Sequence, residues 1–168
     1  MAVANVRMRV HSVGGTGVPS ISTLAYTGTD IALGSVLVWA GSGLVGLSGA
    51  NPAAGTIVGV ALQAYGTNPG FDAANSPATI TGRNTTISVV RPNNSTIFMA
   101  NLTESSSTIA TPAQTDVGVL YGITAYSGIW TIDRGKLSND TVEVLGFDTT
   151  VQLGVVFFRF MDAALSST

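Results

Sequence analysis

His11 is the only histidine in the chain and cysteine is absent, so the usual base, thiolate nucleophile and soft metal ligands are almost missing. His11 could activate only a hydroxyl brought to it, and its neighbour Ser12 would point to the opposite side of a strand. It reads as a structural or surface histidine. The acids are sparse: Asp30, Asp72, Glu104, Asp116, Asp133, Asp140, Glu143, Asp148 and Asp162. Asp133 with Asp148 is one pair that could do glycosidase-type acid and base work if folding brought them together. Each is followed by turn residues, however, Arg134-Gly135 and Thr149-Thr150, the pattern of a strand-end carboxylate that takes the next turn's amides. The run Gly41-Ser42-Gly43-Leu44-Val45-Gly46 spells G-x-G-x-x-G after an apolar segment. A dinucleotide site needs a helix to start there, and Gly49, Pro52 and Gly55 interrupt one almost at once. Residues 40–43, AGSG, therefore read as a hairpin turn. Neither catalytic residues nor cofactor or metal ligands are expected, and the chain does not read as an enzyme.

Composition points elsewhere. Charged residues make up 10% of the 168, against about 25% in ordinary soluble domains. None lies between Asp30 and Asp72. Uncharged polar residues can cover a monomer, but a protein that buries outer surface against other subunits also needs few charges, because an unpaired buried charge is costly. The second explanation is preferred. A net charge of −2 supplies no basic field for nucleic acid, so no nucleic-acid partner is expected. The start, MAVANVRMRVHS, has no basic segment leading into an apolar run, so no cleaved signal is expected. Residues 31–49 are uncharged, yet their glycines and β-branched clusters suit two strands and a turn, and no membrane partner is expected.

The elements follow from period-two patterns. Val6, Met8 and Val10 alternate with Arg7 and Arg9, and a glycine-rich connector follows over residues 13–20. Further strand-like runs are ISTLAY (21–26), SVLVWA (35–40), GLVGLS (43–48), TIVGVALQAY (56–65), TTISVV (85–90) and TIFMANL (96–102). VGVLYGITAY (117–126), IWTID (129–133), TVEVLGF (141–147) and VQLGVVFFRFM (151–161) complete the set. Residues 66–77 read as a surface loop, and 103–116 as a polar connector with room for one helical turn. In the last run Val156, Phe158 and Phe160 share one face and Val155, Phe157 and Arg159 the other. Both faces are unusually apolar, so this strand is either central or partly covered by another subunit. Asn84, Asn93, Asn94, Asn101 and Asn139 head N-x-S/T triplets that reflect composition. Trp39, Trp130, Tyr65, Tyr121 and Tyr126 could line a sugar groove, but aromatics in strand runs belong more often to core or interface. The expected fold is all-β: a single-domain antiparallel barrel or sandwich over residues 21–161, with an extended N-terminal arm and connector, 1–20, and a C-terminal tail, 162–168.

The order of ALGSVLVWAGSGLV, AAGTIVGVALQAY, TISVVRPNNSTIFMANL, DVGVLYGI, GIWTIDRG, TVEVLGFD and VVFFRF, spanning roughly residues 30–161, resembles the decoration or cement proteins of tailed-bacteriophage capsids. The resemblance implies a compact β-barrel or sandwich, commonly a homotrimer, bound to the major capsid protein on the outer surface of the virion. It implies neither catalysis nor a cofactor. It would make Arg7 and Arg9, on the terminal arm, candidate capsid contacts. The alternative is a tail, fibre or receptor-binding β module with glycan-binding ability.

Overall fold

Val, Ile, Phe and Thr crowd the runs between glycine- and asparagine-rich reversals, and such side chains pack well on a pleated surface. The computed structural model describes residues 6–13, 19–27, 31–64, 86–93, 95–105, 108–126, 128–136, 140–151 and 153–166. The predicted loop at 66–77, the connector residues 14–18, and Tyr65, Asn84, Asn94 and Asn139 lie outside these described residues.

Thirteen strands are formed among the described residues. They are β1 (Arg9–Val13), β2 (Ser20–Ala25), β3 (Val36–Gly41), β4 (Leu44–Leu47), β5 (Ile57–Ala61), β6 (Thr86–Arg91) and β7 (Thr96–Ala100), then β8 (Leu102–Glu104), β9 (Thr108–Ala110), β10 (Leu120–Tyr126), β11 (Ile129–Asp133), β12 (Val142–Asp148) and β13 (Val155–Phe160). The fold is all-β, in two sheets. The larger runs β1-β7-β13-β12-β10-β11-β8-β9 and the smaller β2-β6-β5-β3-β4.

Two expectations are corrected. The pairing is not wholly antiparallel, since β8 runs parallel to β11, with Leu102 opposite Ile132 and Thr103 opposite Asp133. The polar connector 103–116 is largely structured: it holds the end of β8, all of β9, and a 3₁₀ turn at Gln114–Asp116. Its polar side chains hid this because the ladder bonds come from the backbone, and because Thr103 is buried with its hydroxyl 3.1 Å from Thr131 Oγ1 and donating to the Ile132 carbonyl at 3.0 Å. The run TIFMANL also splits at Asn101, which parts β7 from β8 and sends them to different positions in the sheet.

The G-x-G-x-x-G run is a hairpin. Gly41 pairs with Leu44, and the two residues between, Ser42 and Gly43, have φ of 52° and 73°. Positive φ at both positions gives the mirror-image turn whose twist suits a two-residue hairpin. No phosphate-binding helix starts here. The same hairpin takes up most of the uncharged stretch 31–49, and no helix among the described residues is long and apolar enough to cross a membrane.

The core forms where the larger sheet meets the smaller. Phe98 of β7 lies opposite Phe158 of β13, and the Phe160 ring meets both edge-on at centroid distances of 5.2 and 5.6 Å. Met8, just before β1, is buried in the same cluster. Neighbouring residues of β3, β5 and β6 divide between two clusters. Val36, Val60 and Val90 join the phenylalanines, while Leu37, Ala61 and Val89 join a second group with Tyr26, Ile31, Val45, Val58 and Ile87. The smaller sheet is therefore covered on both faces. Gly59 in β5 is required by that packing, because a Cβ there would meet the Val90 carbonyl oxygen of β6. A lone parallel bridge, Tyr26 to Val45, with Thr27 N–H donating to the Val45 carbonyl at 3.0 Å, ties the end of β2 to edge strand β4.

Both chain ends of the described residues are docked. Asn101 is fully buried; its Oδ1 accepts the Val6 N–H at 2.6 Å and its Nδ2 donates to the Gly154 carbonyl at 2.7 Å. After β13 a 3₁₀ turn at Asp162–Ala164 buries Ala164, and Leu165 bridges Ile57.

Candidate interaction surface

The register of the larger sheet defines its two faces. Val10, Phe98, Phe158 and Val144 align across β1, β7, β13 and β12 and point into the core. The next row, Arg9, Met99, Phe157 and Gly146, must point outward, because adjacent strand residues alternate. Arg159, Glu143 and Leu120 form a second outward row. Met99, Phe157 and Leu120 are only half-buried, and Leu145, at the bulge in β12, is exposed.

Polar groups sit around this apolar strip. The His11 ring packs on Phe157 with centroids 4.2 Å apart. Arg9 Nε lies 3.2 Å from Met99 Sδ. Arg159 donates through Nε to Glu143 Oε2 at 2.7 Å, with a terminal nitrogen at 2.6 Å from the same oxygen. Arg9 is thus on the outward face near the sheet edge, while Arg7 precedes the ladder and is half-buried. His11 covers an aromatic ring, which is a packing role.

The carboxylate pair Asp133 and Asp148 is not brought together. Gly122 faces Asp133 and the adjacent Tyr121 faces Val142, so Asp133 lies level with the start of β12 while Asp148 ends that strand. At about 3.3 Å per residue the separation is roughly 20 Å, beyond the ~5–10 Å of glycosidase pairs. Both acids instead lock turns: Asp133 accepts the Gly135 N–H at 2.9 Å, and Asp148 accepts the Thr150 N–H at 2.7 Å and its hydroxyl at 2.6 Å. The Thr150 bonds hold the Asp148 carboxyl below its ordinary range.

The densest polar cluster was not legible beforehand. Asp116, in the 3₁₀ turn, is buried and accepts the Ala113 N–H and the Tyr121 hydroxyl, each at 2.8 Å. Arg134 closes on the same carboxylate through Nε at 3.1 Å and a terminal nitrogen at 2.9 Å, and reaches Glu104 at 2.8 Å. Burial pushes the Asp116 carboxyl up, but Arg134, the Ala113 amide and Tyr121 outweigh it and leave it below the usual value. Burial, then the bond to Asp116, raises the Tyr121 phenol, and the Asp116 carboxylate raises Arg134. The cluster ties β8, β10 and β11 to the connector. Its members recur at no motif spacing, so only the fold could assemble them.

Of the aromatics, Trp130 and Tyr121 belong to the core and Tyr126 is half-buried. Trp39 is 38% exposed and borders a hollow of about 260 Å³ with Val38, Ser48, Asn51, Pro52 and Thr56. Asn101, one of the N-x-S/T asparagines, is fully buried and closed to glycosylation in this fold.

Among the described residues, no group of three or more His, Asp or Glu side chains could hold a metal ion. What the fold and surface define is a class, an all-β chain with a weakly charged, partly apolar sheet face. No protein-family model matches the chain, and no curated protein sequence matches it.

Proposed function

We propose that this chain is a decoration or cement protein of a tailed bacteriophage, which binds the outer surface of the major capsid shell as a homotrimer and stabilises it. The observation that carries the reading is β13: its inward face builds the core, yet its outward face still presents Phe157, flanked by Met99 and by exposed Leu145. A half-exposed apolar strip on a chain with 10% charged residues suits a face that is covered in an assembly. Many such weak contacts, repeated around a closed oligomer, act together by multivalency. In this reading the protein works without catalysis, cofactor, nucleic acid or membrane, and Arg7 and Arg9 lie where they could meet an acidic patch of the capsid. The finer architecture belongs to the same proposal, a single-domain barrel or sandwich, and the Tyr26–Val45 bridge, which joins the two outer strands of the smaller sheet, supports the barrel.

The test is occupancy of expanded capsid shells by the purified chain, with its oligomeric state measured by light scattering. Deleting residues 1–20 would remove Met8 from the core, so point changes are the better probe. Phe157→Ser and the Arg7→Glu/Arg9→Glu double variant should stay folded and lose most occupancy. Full occupancy by both, or a monomer that never binds shells, overturns the proposal. The hollow beside Trp39 favours the second reading, a tail or fibre module that binds glycan, since an exposed indole can stack on a sugar. Copy number decides between the two, because decoration needs copies over the whole shell.

A further inference from the structure

The last residue of β6, Arg91, pairs with Ser20 at the start of β2. Beside them the C-terminal segment crosses the start of β5, where Leu165 bridges Ile57 and Ser166 N–H donates to the Ile57 carbonyl at 2.8 Å. The three segments enclose a cleft of about 450 Å³, within the ~300–1,000 Å³ range of ligand sites. Its lining includes Ser20, Ile57, Arg91, Asn93, Leu165 and Ser166.

Three polar groups there have capacity to donate. Arg91 is half-buried, and among the described residues its guanidinium takes part in no ion pair or hydrogen bond. Ser166 Oγ is buried at the cleft lining and has no hydrogen-bond partner among the described residues, and an unpaired buried hydroxyl costs stability. The Asn93 side-chain oxygen is occupied by the Ser95 N–H and the Ser95 and Thr96 hydroxyls, which leaves its amide N–H₂ to offer. Among the described residues no acidic side chain lines the cleft, and Ile57 and Leu165 supply an apolar wall.

From this lining we infer that the cleft binds a carboxylate carried on a small aliphatic or peptide group. A guanidinium fork matches the two oxygens of a carboxylate. One cation with neutral donors balances a single negative charge, whereas a phosphate near −2 would be left half-compensated. The apolar wall takes the carbon skeleton attached to the acid. A chain-terminal carboxylate and an acidic side chain share this chemistry. The inference does not depend on the capsid reading.

Nuclear magnetic resonance titration of the intact chain tests it. The probes are N-acetylvaline for a chain-terminal carboxylate, N-acetylaspartic acid α-amide for a side-chain carboxylate, N-acetylvaline amide as the uncharged control, and inorganic phosphate. At least one carboxylate should shift the Arg91 Nε–H and Ser166 N–H resonances saturably, and the tighter of the two identifies the source. The uncharged amide should leave them unmoved and phosphate should bind more weakly. Arg91→Gln should weaken carboxylate binding at least about tenfold, the scale of a charged hydrogen bond, while Arg91→Lys keeps part of it. Ser166→Ala should weaken binding several-fold yet leave the melting temperature unchanged or higher, because it deletes an orphaned hydroxyl, an outcome that a purely structural serine would not give. The inference is overturned if neither carboxylate shifts these resonances, if amide or phosphate binds as tightly, or if Arg91→Gln binds like the parent.

Discussion

Replacing Asp116 with alanine asks whether the connector between β9 and β10 is held by one buried charge. The residue is 2% exposed and accepts the Ala113 N–H, the Tyr121 hydroxyl and two nitrogens of Arg134. Alanine strands the Tyr121 hydroxyl, on a residue itself 5% exposed, at a cost of about 1–2 kcal/mol. Losing the Arg134 pair adds only about 1–2 kcal/mol, because that side chain is 30% exposed and keeps Glu104, so water and a second carboxylate share its charge. The total is about 3 kcal/mol, at the lower end for breaking a buried pair. The pH dependence follows from the same contacts. With the folded pKa below the ordinary 3.8, the stabilisation is complete above that value and is lost as pH falls through the folded one. Urea titrations should therefore give a parent-minus-variant difference of about 3 kcal/mol near neutral pH that shrinks progressively as pH falls below 3.8. A neutral-pH difference under about 1 kcal/mol, or one that stays constant as the carboxyl protonates, would refute the reasoning.

Gly59→Ala drives a methyl into the backbone carbonyl of Val90, which has no rotamer to escape by, and should cost at least about 2–3 kcal/mol by urea midpoint or abolish soluble protein. Asn101→Ala frees the Val6 N–H and the Gly154 carbonyl together; a loss of about 2 kcal/mol is expected, with faster hydrogen exchange for the β1 amides paired to β7. Phe98→Ala empties the centre of the phenylalanine trio and should cost about 3–5 kcal/mol in the same titration, with the difference in buried volume reporting how far β13 relaxes.

Features whose causes are local were readable from the chain alone. Period two assigns Phe158 and Phe160 to one face and Phe157 and Arg159 to the other without knowledge of any partner, and the structure puts the first pair in the core. The AGSG turn is legible from its glycines, and Gly43 meets positive φ without cost while Ser42 adopts it as well. Asp133 and Asp148 find their amides two residues away. The unread features all depend on distant partners. β8 and β9 sit in a serine- and threonine-rich stretch and exist because β11 offers a ladder to Leu102 and Thr103. Asn101 looked like one more strand residue, but its side chain joins Val6 to Gly154 across the sheet. The Asp116 cluster and the Arg91 cleft gather residues from separate segments, so no spacing could mark them. Met8 is one alternating position of a terminal arm by sequence pattern alone, and its burial depends on the phenylalanines of β7 and β13.

The scarcity of charge takes on a physical meaning once the paired charges among the described residues are located. Asp116, Arg134 and Glu104 are committed to one another, Arg159 is committed to Glu143, and Asp133 and Asp148 close their own turns. Even Arg9 lies against a thioether at the sheet edge. These charges fix connectors and strand ends, so they contribute little long-range field, and the sheet face carrying Phe157 and Leu145 has no strong like-charge repulsion to keep a second surface away. A monomer selected to stay apart would gain from the opposite arrangement, with free charges around its apolar strips. Arg91 is a contrast to these pairs: a half-buried guanidinium without an ion pair among the described residues, in the same cleft lining as the unpartnered Ser166 hydroxyl, is a place that an outside acid can complete.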